Sequence, residues 1–291
     1  MSGRDLVVDR LAGRLIVVDG GPGPWRRRTG VLDGDARFGA ADDRALAVLN
    51  TIVGNPWHAP ALELLVGPLV LRAEAPLILA VDGDVRSDDQ PLAPRRALRL
   101  TAGQRVHITP RGLYATIAIA GGVGVVPGAV FSREEAIPRR ASRDVIPHDV
   151  AVDDGDLATP DDAPLRVVPG PEHGLFPEGA FERLVATRWT VSPTSSRQGV
   201  RLDGPALPMP GVELTTSPAW TGAVQVPPSG QPIVLGVDSR TTGGYPRLAH
   251  VIAVDRFRLG QARPGSTLRF AATTLDEARA LRQAFAARWQ R

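Results

Sequence analysis

Two residue types are missing from this chain. It has no cysteine, which removes disulfides, thiolate nucleophiles, iron–sulfur clusters and thiolate zinc sites together. All 34 basic residues are arginine, so Schiff-base lysines, lysine general bases and the phosphate-loop lysine are excluded as well. Any catalysis falls to Ser, Thr, Tyr, His, carboxylates, Arg or backbone dipoles. Long apolar runs are also lacking, since no stretch approaches the ~20 residues of a membrane span. The most apolar segment, Leu113 to Val126, is broken by Gly121, Gly122 and Gly124. Met1 to Arg14 carries acids and no apolar run of signal-peptide length. A soluble, cytoplasmic protein with no membrane partner is expected.

What is present is turn chemistry. The 291 residues include 31 glycines and 27 prolines, too aperiodic for collagen and set among too many apolar residues for disorder. The sequence pI of 10.3 suggests a nucleic-acid partner, but it arises because arginine never titrates; the formal net charge is only +3. Acids and bases are interspersed, and the longest basic run, Arg26 to Arg28, reads as a solvated loop. No nucleic-acid binding is expected.

Helical signals are few. Asp42 and Asp43 suit a helix N-terminus ahead of Ala45, Leu46, Leu49 and Ile52, with a stop at Gly54. A second helix is expected over Glu178 to Ala186. A third follows a capping box formed by Thr274 and Glu277. The remainder reads as short strands bounded by Gly, Pro, Asp or Ser, among them Leu77 to Val81, Arg105 to Thr109, Val212 to Thr215, Leu248 to Val254 and Thr267 to Phe270. The fold class is mainly β with a few helices. The polar stretch Asp153 to Pro164 divides the chain into a β-rich N-terminal subdomain, residues 1–160, and a C-terminal one, residues 161–291. Phe131 to Asp149, rich in charge and holding two prolines, is expected to be an exposed loop.

Three strings in the second half carry chemistry. Ser192 to Gly204 sets Arg197 and Arg201 among hydroxyls, including Ser196, before an Asp-Gly turn. Local ion pairs explain them, and so does a guanidinium fork for a carboxylate or phosphate. In the second string, Gly222 to Leu235, a Pro-Pro-Ser-Gly hairpin accounts for the turn but not for Gln225 and Gln231 near it. In the third, Asp238 to Pro246, Thr241, Thr242, Gly243, Gly244 and Tyr245 share one loop; the glycines serve either close backbone approach to a ligand or a turn needing positive φ. The five histidines form no ligand pattern and no metal is expected. His173 is the histidine to test. No G-x-S-x-G occurs, which argues against an ordinary serine hydrolase. The five tryptophans default to packing.

The ordered pattern S-x-R-x-G-x-R-L-x-G, G-A-x-Q-V-P-x-G-Q-P-I-V-L, T-T-G-G-Y-P and Q-x-R-P-G resembles one family with several names: allophanate hydrolase subunit 2, the C-type subunit of 5-oxoprolinase, KipA-type protein, or biotin-dependent carboxyltransferase subdomain of urea carboxylase. In the first half Asp42, Asn50, Asn55 and Glu63 resemble its D-x-x-A…N-x-x-V-G-N-P…A-L-E segment. The likeness runs from about Arg14 to Ala278. Departures fall at Val18 to Asp42, where Phe38 stands at a usual serine, at Val130 to Glu135, and at Ser217 to Ala219.

The resemblance implies a pair of cyclophilin-like β-barrel subdomains. It also implies a subunit of a heteromeric, ATP-dependent amidohydrolase, most simply a 5-oxoprolinase that opens 5-oxoproline to glutamate. Its partners would be a B-type subunit, similar to allophanate hydrolase subunit 1 or KipI, and an A-type subunit. A carboxyltransferase role dependent on biotin is an alternative, as is a non-catalytic KipA-type regulator of a Kip-type kinase inhibitor. Under the enzymatic readings, Arg197 and Arg201 would hold an anion, Gln225 and Gln231 an amide, and backbone N–H groups near Gly243 and Gly244 a developing oxyanion.

Overall fold

The turn-punctuated pattern builds sheets. The computed structural model describes residues 11–19, 29–32, 40–65, 68–87, 90–123, 130–131, 136–140, 163–211 and 214–289. Phe38, Arg26 to Arg28, His148 and most of Asp153 to Pro164 lie outside them. The chain divides into two units: Met1–Ala40 with Arg44–Asp156, and Ala41–Asp43 with Leu157–Arg291.

In the first unit the described strands are β1 (Leu11–Asp19), β2 (Thr29–Leu32), β3 (Ala61–Leu65), β4 (Leu69–Ala73), β5 (Leu77–Val81), β6 (Asp84–Ser87), β7 (Gln90–Leu92), β8 (Leu98–Leu100), β9 (Arg105–Thr109), β10 (Tyr114–Ile119), β11 (Val130–Phe131) and β12 (Ala136–Arg140), with helix α1 (Asp43–Ile52) before β3. One sheet runs β12-β1-β4-β9-β6-β7 and the other β11-β2-β3-β10-β5-β8. Leu71 of β4, Val106 and Ile108 of β9, Leu62 and Leu64 of β3, and Ile117 of β10 share one core, so the two sheets enclose it. Each fully buried Leu or Ile side chain contributes roughly 1.5–3 kcal/mol. The expected loop over Phe131 to Asp149 is corrected at β12, which pairs with β1 and buries Ile137. Its Pro138 is tolerated because β12 is an edge strand and need not donate outward.

The second unit holds β13 (Leu165–Pro169), helix α2 (Ala180–Ala186), β14 (Trp189–Val191), β15 (Gly199–Asp203), β16 (Ser217–Pro218), β17 (Ala223–Gln225), β18 (Ile233–Leu235), β19 (Thr242–Gly243), β20 (Arg247–Val251), a short helix α3 (Phe257–Gly260), β21 (Thr267–Leu268), β22 (Phe270–Ala272) and helix α4 (Leu275–Trp289). Its main sheet runs β21-β14-β15-β18-β17-β20-β13-β22. The two ends of that order are neighbours in sequence, separated only by Arg269. A sheet whose edges meet on one continuous stretch of chain has curled nearly into a barrel, which removes its exposed edges. Val167, Leu202, Val224, Val234 and Leu248 fill it, and Trp189 is fully buried with its indole N–H given to the Leu184 carbonyl at 3.0 Å.

Closure also explains where expected strands differ. Thr267 to Phe270 splits at Arg269 because the chain changes partner there, from β14 to β13. Leu248 to Val254 ends at Val251 and turns through a 3-10 segment, Ala253–Asp255. Of the strand expected over Val212 to Thr215, Val212 and Glu213 lie outside the described residues, and Leu214 and Thr215 are not in a strand; β19 meets the chain further on, at Ser217. The capping reading of α4 holds in half: the Glu277 N–H reaches Thr274 Oγ1 at 3.1 Å, while the Glu277 carboxylate accepts from Thr273 Oγ1 at 2.5 Å.

Candidate functional site

Gln225 closes β17 beside Arg247, the first residue of β20, and the register shifts between Val224 and Gln225. Such a bulge re-aims a side chain. The result is a carboxamide only 6% exposed at a barrel rim. Its Nε2 makes one long contact, 3.5 Å to the Tyr245 carbonyl. Among the described residues no donor reaches its oxygen. An amide that can make four hydrogen bonds and makes one long one is an exception among buried polar groups.

Directly against this amide stands Gly243. A Cβ there would lie 2.6 Å from Gln225 Nε2, so the glycine serves close approach, and neither Gly243 nor Gly244 has a positive φ. Gly243 belongs to β19, which pairs with β16 through Ser217↔Gly243 and Pro218↔Thr242. One further bond, from the Ala219 N–H to the Thr241 carbonyl at 2.8 Å, extends this small flap. Thr241, Thr242, Gly244 and Tyr245 are exposed along it, and a Cβ at Gly244 would meet open space.

Beneath the flap lies a charged pair that composition and spacing do not reveal. Arg247, 6% exposed, gives Nε to Glu172 Oε2 at 2.7 Å and Nη2 to Glu172 Oε1. Its Nη1 goes to the Pro218 carbonyl, and its guanidinium carbon sits 5.7 Å from the Trp220 ring centroid. Donation from Arg247 holds the Glu172 carboxyl below the usual carboxylate range against the opposing effect of burial, and the same bond raises the guanidinium. Nearby His250 is depressed mainly by burial, with the Arg256 and Arg247 charges acting in the same direction.

The other sequence candidates are placed elsewhere or are already engaged. Arg197 gives Nε and Nη2 to the Asp238 carboxylate at 2.7 and 3.1 Å. Arg201 is exposed on β15 between inward-facing Val200 and Leu202, and so points away from the barrel core. Ser196 Oγ accepts the Gln198 N–H at 3.2 Å, a local turn. Gln231 does not share Gln225's setting: its amide exchanges two bonds with Gly204, donating at 2.8 Å and accepting at 3.0 Å. His173 stacks edge-on against Phe181.

The first-half motif is likewise structural. Asn50 gives Nδ2 to the Ala59 carbonyl at 2.7 Å. Asn55 gives Nδ2 to Asn50 Oδ1 at 2.9 Å and to the Ile119 carbonyl at 2.8 Å, and accepts the Gly121 N–H at 2.8 Å. Glu63 is buried in β3, and Asp42, counted with the second unit, accepts from Gln261 Nε2 at 2.9 Å. No cluster of three or more potential metal-binding His, Asp or Glu occurs among the described residues. No helix of theirs is long and apolar enough to cross a membrane.

Arg247 follows the T-T-G-G-Y-P string by one residue, and Glu172 precedes His173. Trp220, expected to pack, is 59% exposed. The signal for all three is adjacency to motifs rather than any pattern of their own.

Comparisons with known proteins fit this architecture. The family model described as carboxyltransferase domain, subdomain A and B, matches residues 34–272. The chain is 32% identical over 290 residues to the C-type subunit of 5-oxoprolinase from Escherichia coli strain K12, covering 92% of this chain and 91% of that one. It is 26% identical to a putative urea carboxylase of Emericella nidulans, covering 87% of this chain but only 23% of that protein. Among solved structures, TTHA0988 superposes with a TM-score of 0.77 at 31% identity, over 90% of this chain and 56% of that one. The urea amidolyase of K. lactis shares the fold with a TM-score of 0.80 at 22% identity, over 96% of this chain and 20% of that one.

Proposed function

Since this chain belongs to the carboxyltransferase domain family, subdomains A and B, we propose that it is the C-type subunit of a multi-subunit 5-oxoprolinase and holds the small amide through Gln225. One observation carries this reading: the Gln225 carboxamide is buried and nearly unbonded, against a glycine that lets the backbone close on it. A carboxamide presents a donor and an acceptor side by side. A lactam or a urea has its C=O and N–H on one edge and matches it with two hydrogen bonds, whereas a trans peptide has them on opposite edges and does not. 5-Oxoproline is a five-membered lactam, and the relatives at 32% identity are named for its hydrolase.

Opening the ring adds water to the carbonyl carbon, breaks the C–N bond and gives a proton to nitrogen. Negative charge gathers on the carbonyl oxygen before the bond breaks. We assign its stabilisation to the backbone N–H at Gly244, where no side chain intervenes. The Thr241–Tyr245 loop runs into a strand rather than a helix and the chain has no lysine, so these residues do not fit a phosphate cradle. We therefore assign ATP to the partner subunits and route no step of this chain through it. Biotin enters only under the carboxyltransferase alternative.

The test is to co-purify the chain with candidate B-type and A-type subunits and to follow glutamate release from 5-oxoproline and ATP. The expected outcome is release that falls at least 100-fold in Gln225→Ala, equivalent to about 3 kcal/mol. Urea turnover that requires a biotinylated carrier would favour the carboxyltransferase reading instead. Partner binding with no turnover of either substrate would favour the regulator.

A further inference from the structure

The flap over Gln225 is thinly built. Each of its strands is two residues long, and Pro218 has no N–H to give. A ladder this short is marginal alone. Its indole, Trp220, is 59% exposed, an unusual place for the largest apolar side chain. Something outside the flap must fix both.

That support is Glu172. Its turn lies flush on β20 because residue 170 is glycine; a Cβ there would fall 2.2 Å from the Arg247 carbonyl oxygen. Glu172 then accepts the Arg247 backbone N–H at 3.1 Å as well as two guanidinium donors. The remaining arm of the guanidinium holds the Pro218 carbonyl, and its face lies near the Trp220 ring. The contacts therefore run from Glu172 through Arg247 and Pro218 to Thr242 of β19, whose neighbour Gly243 stands against the Gln225 amide. A buried ion pair is weak evidence for stability, because desolvation offsets most of its attraction. Its geometry here is better matched to holding one element in one position.

We infer that Trp220 is a specificity-determining wall of the Gln225 subsite and that Glu172, acting through Arg247, is its positioning residue. The inference rests on the reading of Gln225 as the ligand-binding amide. The ion pair holds the flap beside the carboxamide and the indole beside the guanidinium; in the proposed arrangement a ring lies against the indole while its amide edge meets Gln225. Stacking selects planar cyclic amides over flexible open-chain ones of the same size.

Two measurements test this. In the full-length chain, hydrogen exchange followed by mass spectrometry should speed up at least tenfold across residues 217–221 and 240–245 in Glu172→Gln and in Arg247→Lys, with β14 and β15 unchanged. In the complex with its partner subunits, Trp220→Ala and Glu172→Gln should raise KM for 5-oxoproline about tenfold with kcat within twofold, and Trp220→Phe should restore KM. If Glu172→Gln does not fold, Arg247→Lys carries the same comparison. Unchanged flap exchange, or a KM unmoved in Trp220→Ala, overturns the inference even where Gln225→Ala is inactive. If Gln225→Ala turns over normally while the flap still loosens in Glu172→Gln, the substrate reading has failed and the positioning contact has not.

Discussion

Two buried carboxamides, one in each unit, behave in opposite ways. Asn55 in the first unit makes three bonds of 2.8–2.9 Å, to Asn50, Ile119 and Gly121, and so ties the end of α1 to the end of β10. Gln225 in the second makes a single contact at 3.5 Å. Both lie in strings that match one family, and both are nearly inaccessible to solvent, at 9% and 6%. The difference is satisfaction. A saturated amide is scaffold, and an unsaturated one at a barrel rim, under a glycine, is the group proposed to take the ligand.

The largest effect that sharpens the contrast is expected at Asn55. Asn55→Ala leaves Asn50 Oδ1 and the Gly121 N–H without their partner and removes one of two donors from the Ile119 carbonyl, which keeps the Gly122 N–H; the loss should cost about 2–4 kcal/mol of stability. Chemical denaturation monitored in the first unit would show it. Gln225→Ala strands no such partners and should leave the unfolding midpoint nearly unmoved. An equal loss in both variants would erase the distinction.

The fold was largely legible because its signals are local. Asp43 with Ala45 to Ile52, and alternation at Arg105 to Thr109, need only a few neighbours to declare a helix and a strand. What was not legible depends on partners far along the chain. β12 forms because β1 lies beside it, despite its charge and its proline. Thr267 to Phe270 divides because barrel closure hands the chain from one neighbour to another.

The site followed the same rule. Gln225, Gly243 and Tyr245 stand together as the motif strings imply, whereas Gln231 faces Gly204 and Arg197 faces Asp238, pairings that no spacing announces. Glu172 and Arg247, 75 residues apart, were invisible for that reason.

Smaller effects are expected from pH, and again they separate regions. The folded pKa of Glu172 lies below its ordinary value, so its contribution is present above about pH 4.3 and is lost as pH falls through the folded value. Protection of the flap amides, measured as exchange relative to the intrinsic rate at each pH, should therefore fall in acid in the wild-type chain, and Glu172→Gln should abolish that fall. His250 is also depressed, which means the unfolded chain protonates below about pH 6.5 while the folded one stays neutral. Stability of the second unit should decline gently from that pH downward, and His250→Gln should flatten the decline. The Asn50–Asn55 network carries no titrating group and should contribute nothing in either window.

The most direct test is to observe the two amides. Side-chain 15N resonances of Gln225 and Asn55, assigned from Gln225→Ala and Asn55→Ala in the chain assembled with its partner subunits, would be followed while 5-oxoproline is titrated to saturation. A binding role predicts that the Gln225 signal shifts along the saturation curve while the Asn55 signal stays fixed; a Gln225 signal that does not move at saturation contradicts it.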